Sequence, residues 1–248
     1  MTASLRALFG RGISVGLRAG RENLVPGLVI QAITLLIVVG YYRGWPTTAL
    51  LTTLADLKVR YGHLFSFVAT GLFAGVLGEA CRVLFLQRGR FAKANLEEMV
   101  FRFFLLGFCG IGSDFLYLGL GALLGNAPSP LIVAEKVAID QFVYSAFLAC
   151  PFLTLGYHWK HSGYRLAALG DLFRPAFIGE QVVPLTLSNF CFWIPTTVLI
   201  YSLPVLLQLP LFLLAVTIWG LLLVSISTRR GNDGKLPVLP AEETVLPI

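Results

Sequence analysis

A charge inside a long apolar run restricts a chain of this kind more than any other feature, and the run from Leu131 to Tyr157 carries Glu135, Lys136 and Asp140. Setting one charged side chain at the centre of a bilayer costs roughly 2.5–3.5 kcal/mol on insertion scales. A segment that had only to span lipid would not hold them. Lys136 and Asp140 are four residues apart, so they share a helix face and are placed to pair. Tyr144 and Pro151 continue that face. Something polar, another helix or water, has to lie against it.

The rest of the chain has the same character. Of its 248 residues 56% are hydrophobic and only 13% charged, where soluble domains carry about 25% charged residues. Long uncharged runs with this composition predict an all-α, polytopic transmembrane helical bundle whose partner is the lipid bilayer. The net charge of +6 belongs to loops on one side of the membrane. No basic run is interleaved with aromatics as a nucleic-acid site requires. Cys81, Cys109, Cys150 and Cys191 each fall in a different apolar run without a Cys or His at ligand spacing, so neither a metal nor another cofactor is expected. His63, His158 and His161 lie at or beyond the ends of the runs and read as interfacial rather than catalytic.

In chain order, residues 1–24 carry Arg6, Arg11, Arg18 and Arg21 against one acid, Glu22. They suit an amphipathic helix, either a targeting segment of the organelle-presequence kind or a basic arm held on one side by the positive-inside rule. The transmembrane region is expected over residues 25–227, with six spans beginning near Val25, Leu64, Met99, Leu131, Val182 and Leu211. Residues 46–62 form a loop with a short surface helix through Asp56, Lys58 and Arg60. The second span carries Gly71, Gly75 and Gly78, then Glu79 and Arg82, which are three apart and placed to neutralise each other. The third carries Gly107, Gly110, Asp114, Tyr117 and Gly121, three or four apart on one stripe; glycines at this spacing let a neighbouring helix approach closely, and Gly112 is a further packing candidate. Arg102 lies about 18 Å from Asp114 along the helix axis, so the two cannot pair within it. The fifth span is broken by Pro184 and Pro195, and Pro204 and Pro210 bound a reversal before the sixth. The tail, 228–248, reads as disordered.

With six spans, 13 of the Lys and Arg residues fall on the N-terminal side and 3 on the other. That asymmetry puts both termini on the cytoplasmic-type side. A bacterial plasma membrane and an organelle membrane, mitochondrial inner or peroxisomal, both fit. The spans then hold Glu79, Arg82, Arg102, Asp114, Glu135, Lys136 and Asp140. Such a set either lines a water-filled path for a small polar solute or locks helix register as buried ion pairs. No Gly-x-Ser-x-Gly elbow and no His-Glu-x-x-His motif accompanies it, so an enzyme is not expected.

The order of motifs from about Thr70 to the sixth span resembles the Mpv-seventeen family of peroxisomal and mitochondrial inner-membrane proteins. The matching positions are Thr70 with Gly78 and Glu79; Arg102, Gly107 and Gly112; Lys136, Asp140 and Gln141; and Pro184, Asn189, Phe190 and Pro195, followed by Trp219. The chain departs from the family's pattern with Glu79 for an aspartate, Ser113 for a proline and Val183 for a tryptophan. Asn189 stands one residue closer to Pro184, and no arginine follows Pro195. The resemblance implies a small helical bundle that forms a channel for small solutes and serves membrane homeostasis. It brings Gln141 and Asn189 into the polar set. A homo-oligomer is compatible with it, as is a non-conducting scaffold whose charges are structural.

Overall fold

Glycine and proline punctuate an otherwise apolar chain, and the helices run between them. The computed structural model describes residues 2–217 apart from 23, 86 and 128, and the described residues contain helices and no strand. We label the helices α1 (Thr2–Glu22), α2 (Leu24–Tyr42), α3 (Thr47–Leu84), α4 (Lys93–Leu124), α5 (Pro130–His161), α6 (Pro175–Tyr201) and α7 (Val205–Thr217). Four of them, α3 to α6, are long and apolar enough to cross a membrane. The apolar part of α2, Gly27–Tyr42, and α7 are shorter, so these helices by themselves give four spans where the sequence suggests six. Much of the expected sixth span, with Trp219, and the tail 228–248 lie outside the described residues.

The helix boundaries have local causes. Gly44, Gly89, Gly125 and Gly163 have positive φ and end or separate helices, as only glycine does without strain. Residues 47–61, expected mainly as loop, are helical. Gly62 (φ 57°, ψ −136°) then breaks α3 near the expected start of the second span. Neither Pro184 nor Pro195 breaks α6, contrary to expectation. A π-wound turn, Ile178–Val182, ends two residues before Pro184, and such a turn takes up the clash of a proline ring with the preceding carbonyls. Pro210 likewise sits inside α7, which begins at Val205.

The chain divides into two compact units. Among the described residues, those up to Val25 and Ala138–Pro195 belong to one, called here the Asp140 unit; Pro26–Val137 and those from Thr196 to Thr217 belong to the other, the Asp114 unit.

Glycine sets the packing in the Asp114 unit. A Cβ on Gly71 would lie 2.6 Å from the Phe103 carbonyl oxygen, and one on Gly75 2.9 Å from the Arg102 carbonyl. From the other side, a Cβ on Gly107 would meet the Phe67 ring at 2.8 Å and one on Gly110 the Ser66 carbonyl oxygen at 2.5 Å. The backbones of α3 and α4 therefore touch, as expected of membrane helices with small residues at the interface. Gly78 and Gly112 are less tightly enclosed than Gly71 and Gly75. Gly78 meets nothing nearer than the Arg102 guanidinium at 3.6 Å, and Gly112 is half-buried. A side chain forced into this seam should destabilise by about 1–3 kcal/mol. Gly75→Val is expected to lower the thermal unfolding midpoint in detergent, while Gly119→Val, where a Cβ meets open space, changes it little.

In the Asp140 unit the same device appears on α1, whose sequence suggests a targeting segment or a basic arm. On α1, Gly12 seats on the Gly179 carbonyl, Gly16 on Pro184 and Leu187, and Gly20 on Cys191. The unit's part of α5 holds a longer π-wound segment, Asp140–Ala149. Its winding advances about five residues per hydrogen-bonded turn instead of four. The buried face accordingly runs through Asp140, Gln141, Ser145, Cys150 and Thr154, and not through Tyr144 and Pro151, which are half-buried.

Candidate polar sites within the bundle

The expected ionisable set separates into distinct clusters. The first joins the C-terminal end of α3 to the start of α4. Glu79, fully buried, accepts hydrogen bonds from Arg82 Nε at 2.8 Å and from Asn95 Nδ2 at 2.8 Å, and Arg102 Nη1 lies 3.8 Å away. Arg82 is one helical turn along from Glu79, so this part of the cluster was legible as an i,i+3 pair. Asn95 was not anticipated. Its Oδ1 accepts from the Ala92 N–H at 2.8 Å, capping α4, while its amide holds Glu79. A helix cap thus doubles as a ligand to a buried carboxylate.

The second cluster surrounds Asp114 at the break in α3. Lys58 Nζ, His63 Nδ1 and Ser66 Oγ each lie 2.7 Å from one oxygen, Asp114 Oδ2. Asp114 is 2% exposed and Lys58 9%, so little of this ion pair is exposed. The His63 side chain is 45% exposed and stacks on Phe115 with ring centroids 4.3 Å apart. His63 is therefore part of a buried network and not simply an interfacial residue. The turn at Gly62 sends the chain back into a helix between Lys58 and His63, so that both reach the same carboxylate. Beside them lies a cavity of about 260 Å³, lined by Lys58, His63, Asp114, Tyr117, Val205 and Leu209 among others. At about 30 Å³ per water it has room for several waters or one small solute.

These two clusters do not form one network along α3. His63 and Glu79 are sixteen residues apart, about 24 Å along a helix, and each carboxylate has its own cations. Asp114 takes Lys58, His63 and Ser66 from far along the chain, and Glu79 takes Arg102 and Asn95. No spacing rule finds such pairs; the signal available was a glycine between two basic residues just ahead of an apolar run.

In the Asp140 unit three residues singled out by the family resemblance do meet. Asn189 Nδ2 reaches Gln141 Oε1 at 3.4 Å, and Gln141 Nε2 donates to Asp140 Oδ1 at 3.0 Å. Ser145 Oγ donates to the same oxygen at 3.3 Å, one π turn along. Asp140 and Gln141 are 4% and 1% exposed. Lys136, in the Asp114 unit, is 2% exposed and lies over the Tyr201 ring at 5.9 Å, near enough for a cation–π contact. Glu135, by contrast, is exposed.

Near the loop that follows α5, Asp171 binds His158 Nε2 at 2.8 Å and Arg174 Nη1 at 2.9 Å, fastening the 3₁₀ stretch Leu166–Phe173 to the helices on either side. Among the described residues no group of His, Cys, Asp or Glu is arranged to hold a metal ion.

Four helices long and apolar enough to cross a membrane, with charged groups buried between helices, are compatible with an integral membrane protein. No family model, no curated protein and no solved structure matches the chain.

Proposed function

We propose that this chain is a six-span integral membrane protein, resembling the Mpv-seventeen family, that provides a polar path for small solutes. The six spans are α2, the part of α3 after Gly62, α4, α5, α6 and the apolar run from about Leu211 to Ser227. Both termini lie on the side where the basic loops gather. The observation that supports the path is the cavity beside Asp114. A carboxylate within an apolar helix, three donors on one of its oxygens and an adjoining space for water form the kind of lining a polar solute needs. The chain of Asn189, Gln141 and Asp140 supplies a second polar surface within the apolar helices.

Purified protein in liposomes is expected to pass small polar solutes, with Asp114→Asn and Asp140→Asn each changing the flux by about tenfold, equivalent to about 1.4 kcal/mol at one point in a path. Absence of flux from well-folded wild-type protein would overturn the proposal. Unchanged flux in both variants would remove these residues from the lining.

A specific observation favours a second reading, a scaffold whose charges fix helix register. Glu79 is fully buried and held by Arg82, Arg102 and Asn95 together, which is how a structural ion cluster is satisfied.

A further inference from the structure

We propose that α1 is a permanent, docked element of the fold whose arginine face binds the phosphates of anionic lipids. The proposal rests on the membrane reading above, but not on conduction.

Two faces of α1 carry it. The inner face is the glycine row Gly12, Gly16 and Gly20. A Cβ on Gly16 would lie 2.8 Å from the Pro184 carbonyl oxygen and 2.9 Å from Leu187 Cβ, and one on Gly20 would lie 3.2 Å from Cys191 Cβ. A basic arm without a fixed seat has no use for a row of glycines every four residues, and a leader that is cut away has none either. The row buys close backbone contact with α6 over about 12 Å of α1. Removing α1 would leave that seat, including Gly179 and Val182, which are buried, open to solvent or lipid.

The outer face is basic. At about 100° per residue, Arg11, Arg18 and Arg21 fall within an arc of about 80°, turned away from the glycine row. All three side chains are exposed, and among the described residues none has an acidic partner. The whole segment from residue 1 to 24 contains a single acid. Between the arginine arc and the glycine row lie Ile13 and Leu17, 44% and 47% exposed. A helix docked on protein along one side, with apolar side chains on an adjoining flank and guanidinium groups facing outward, suits the boundary between acyl chains and headgroups. There the guanidinium groups form bidentate hydrogen bonds to phosphate oxygens. Basic residues at this level favour anionic over zwitterionic lipid, because only the former leaves an uncompensated negative charge.

The test uses the full chain, purified in a mild detergent and titrated with phosphatidylglycerol or phosphatidylcholine, with bound lipid counted by native mass spectrometry. Wild-type protein is expected to retain phosphatidylglycerol in preference to phosphatidylcholine. Arg11→Gln, Arg18→Gln and Arg21→Gln together should weaken that binding by roughly a hundredfold, at about fivefold for each arginine near an anionic surface. Arg88→Gln, Arg90→Gln and Lys93→Gln together, which neutralise exposed cations of the turn after α3 and of the first residue of α4, should leave it within about threefold of wild type. Equal binding by wild type and the α1 variant overturns the proposal, as does equal loss in the two triple variants. An intact mass showing that membrane-extracted protein lacks residues 1–22 overturns it too. Carbonate extraction of wild-type membranes keeps the two conclusions apart: release of the protein would sink the integral-membrane reading, whereas retention with equal lipid binding would sink only this one.

Discussion

Lys58→Met is expected to destabilise the Asp114 unit by about 3–5 kcal/mol, a large fraction of the stability of most domains. The reason is the depth of the pair. Asp114 is 2% exposed and its contact with Lys58 is 2.7 Å long. With the ammonium removed, the carboxylate stays buried with only Ser66 and a partly exposed histidine to hold it. The cost is that of an uncompensated charge, not of a lost contact alone. Removing both charges should therefore recover much of the loss, so Lys58→Met with Asp114→Leu is expected to be more stable than Lys58→Met alone. Thermal unfolding in detergent of the wild type, both single variants and the double variant gives the coupling energy directly. A double variant no more stable than Lys58→Met would show that the pair does not carry this coupling. The same four proteins, assayed for flux, separate the two functional readings. A scaffold regains its role with its stability, whereas a path that needs the carboxylate stays impaired in a stable double variant.

The second large effect is expected at the seat of α1. A side chain on Gly12 points into the carbonyl of Gly179, and that backbone has little room to yield because Val182 and Phe177 beside it are buried. Overpacking of this kind costs about 1–3 kcal/mol when the structure absorbs it. For a helix held along one stripe, undocking is the cheaper escape. Gly12→Leu should therefore release α1 and leave the rest of the fold in place. Limited trypsinolysis would then cut at Arg11, Arg18 and Arg21 at least tenfold faster than in the wild type, a shift of about 1.4 kcal/mol in the opening equilibrium. Gly10→Leu, where a Cβ meets open space, serves as the control. Equal cleavage rates in the two variants would show that Gly12 does not seat the helix.

The parts of this molecule that follow from local rules were legible in the sequence. Apolar runs bounded by Gly and Pro located the long helices. Spacing alone paired Glu79 with Arg82, and Gly71, Gly75, Gly107 and Gly110 were recognisable as a packing seam. The motif order drew attention to Gln141 and Asn189, which meet although 48 residues apart. What escaped depends on long-range geometry or on departures from plain α winding. Lys58 reaches a carboxylate 56 positions further along the chain, beside a kink at Gly62 whose positive φ suits glycine. Asn95 looks like any polar residue in a first helical turn until Glu79 is brought beside it. The glycines of α1 were overlooked because the arginines between them dominate its composition. Tyr144 and Pro151 were placed on the polar face by a period of 3.6 residues, which does not hold between Asp140 and Ala149.

That last departure recurs. Three stretches among the described residues, Gly71–Val76, Asp140–Ala149 and Ile178–Val182, are wound as π-helix. In each, the rungs of the ladder join residues five apart, which is what an ordinary helix looks like after it has swallowed an insertion without ejecting it as a loop. Such a stretch is a vernier: it sets the angular phase of everything downstream against everything upstream, in steps of about 100° per residue. Shortening α5 by one residue there would keep the helix but turn Cys150 and Thr154 out of the interior they now occupy. The length of this helix and the azimuth of its polar face are thus separate quantities.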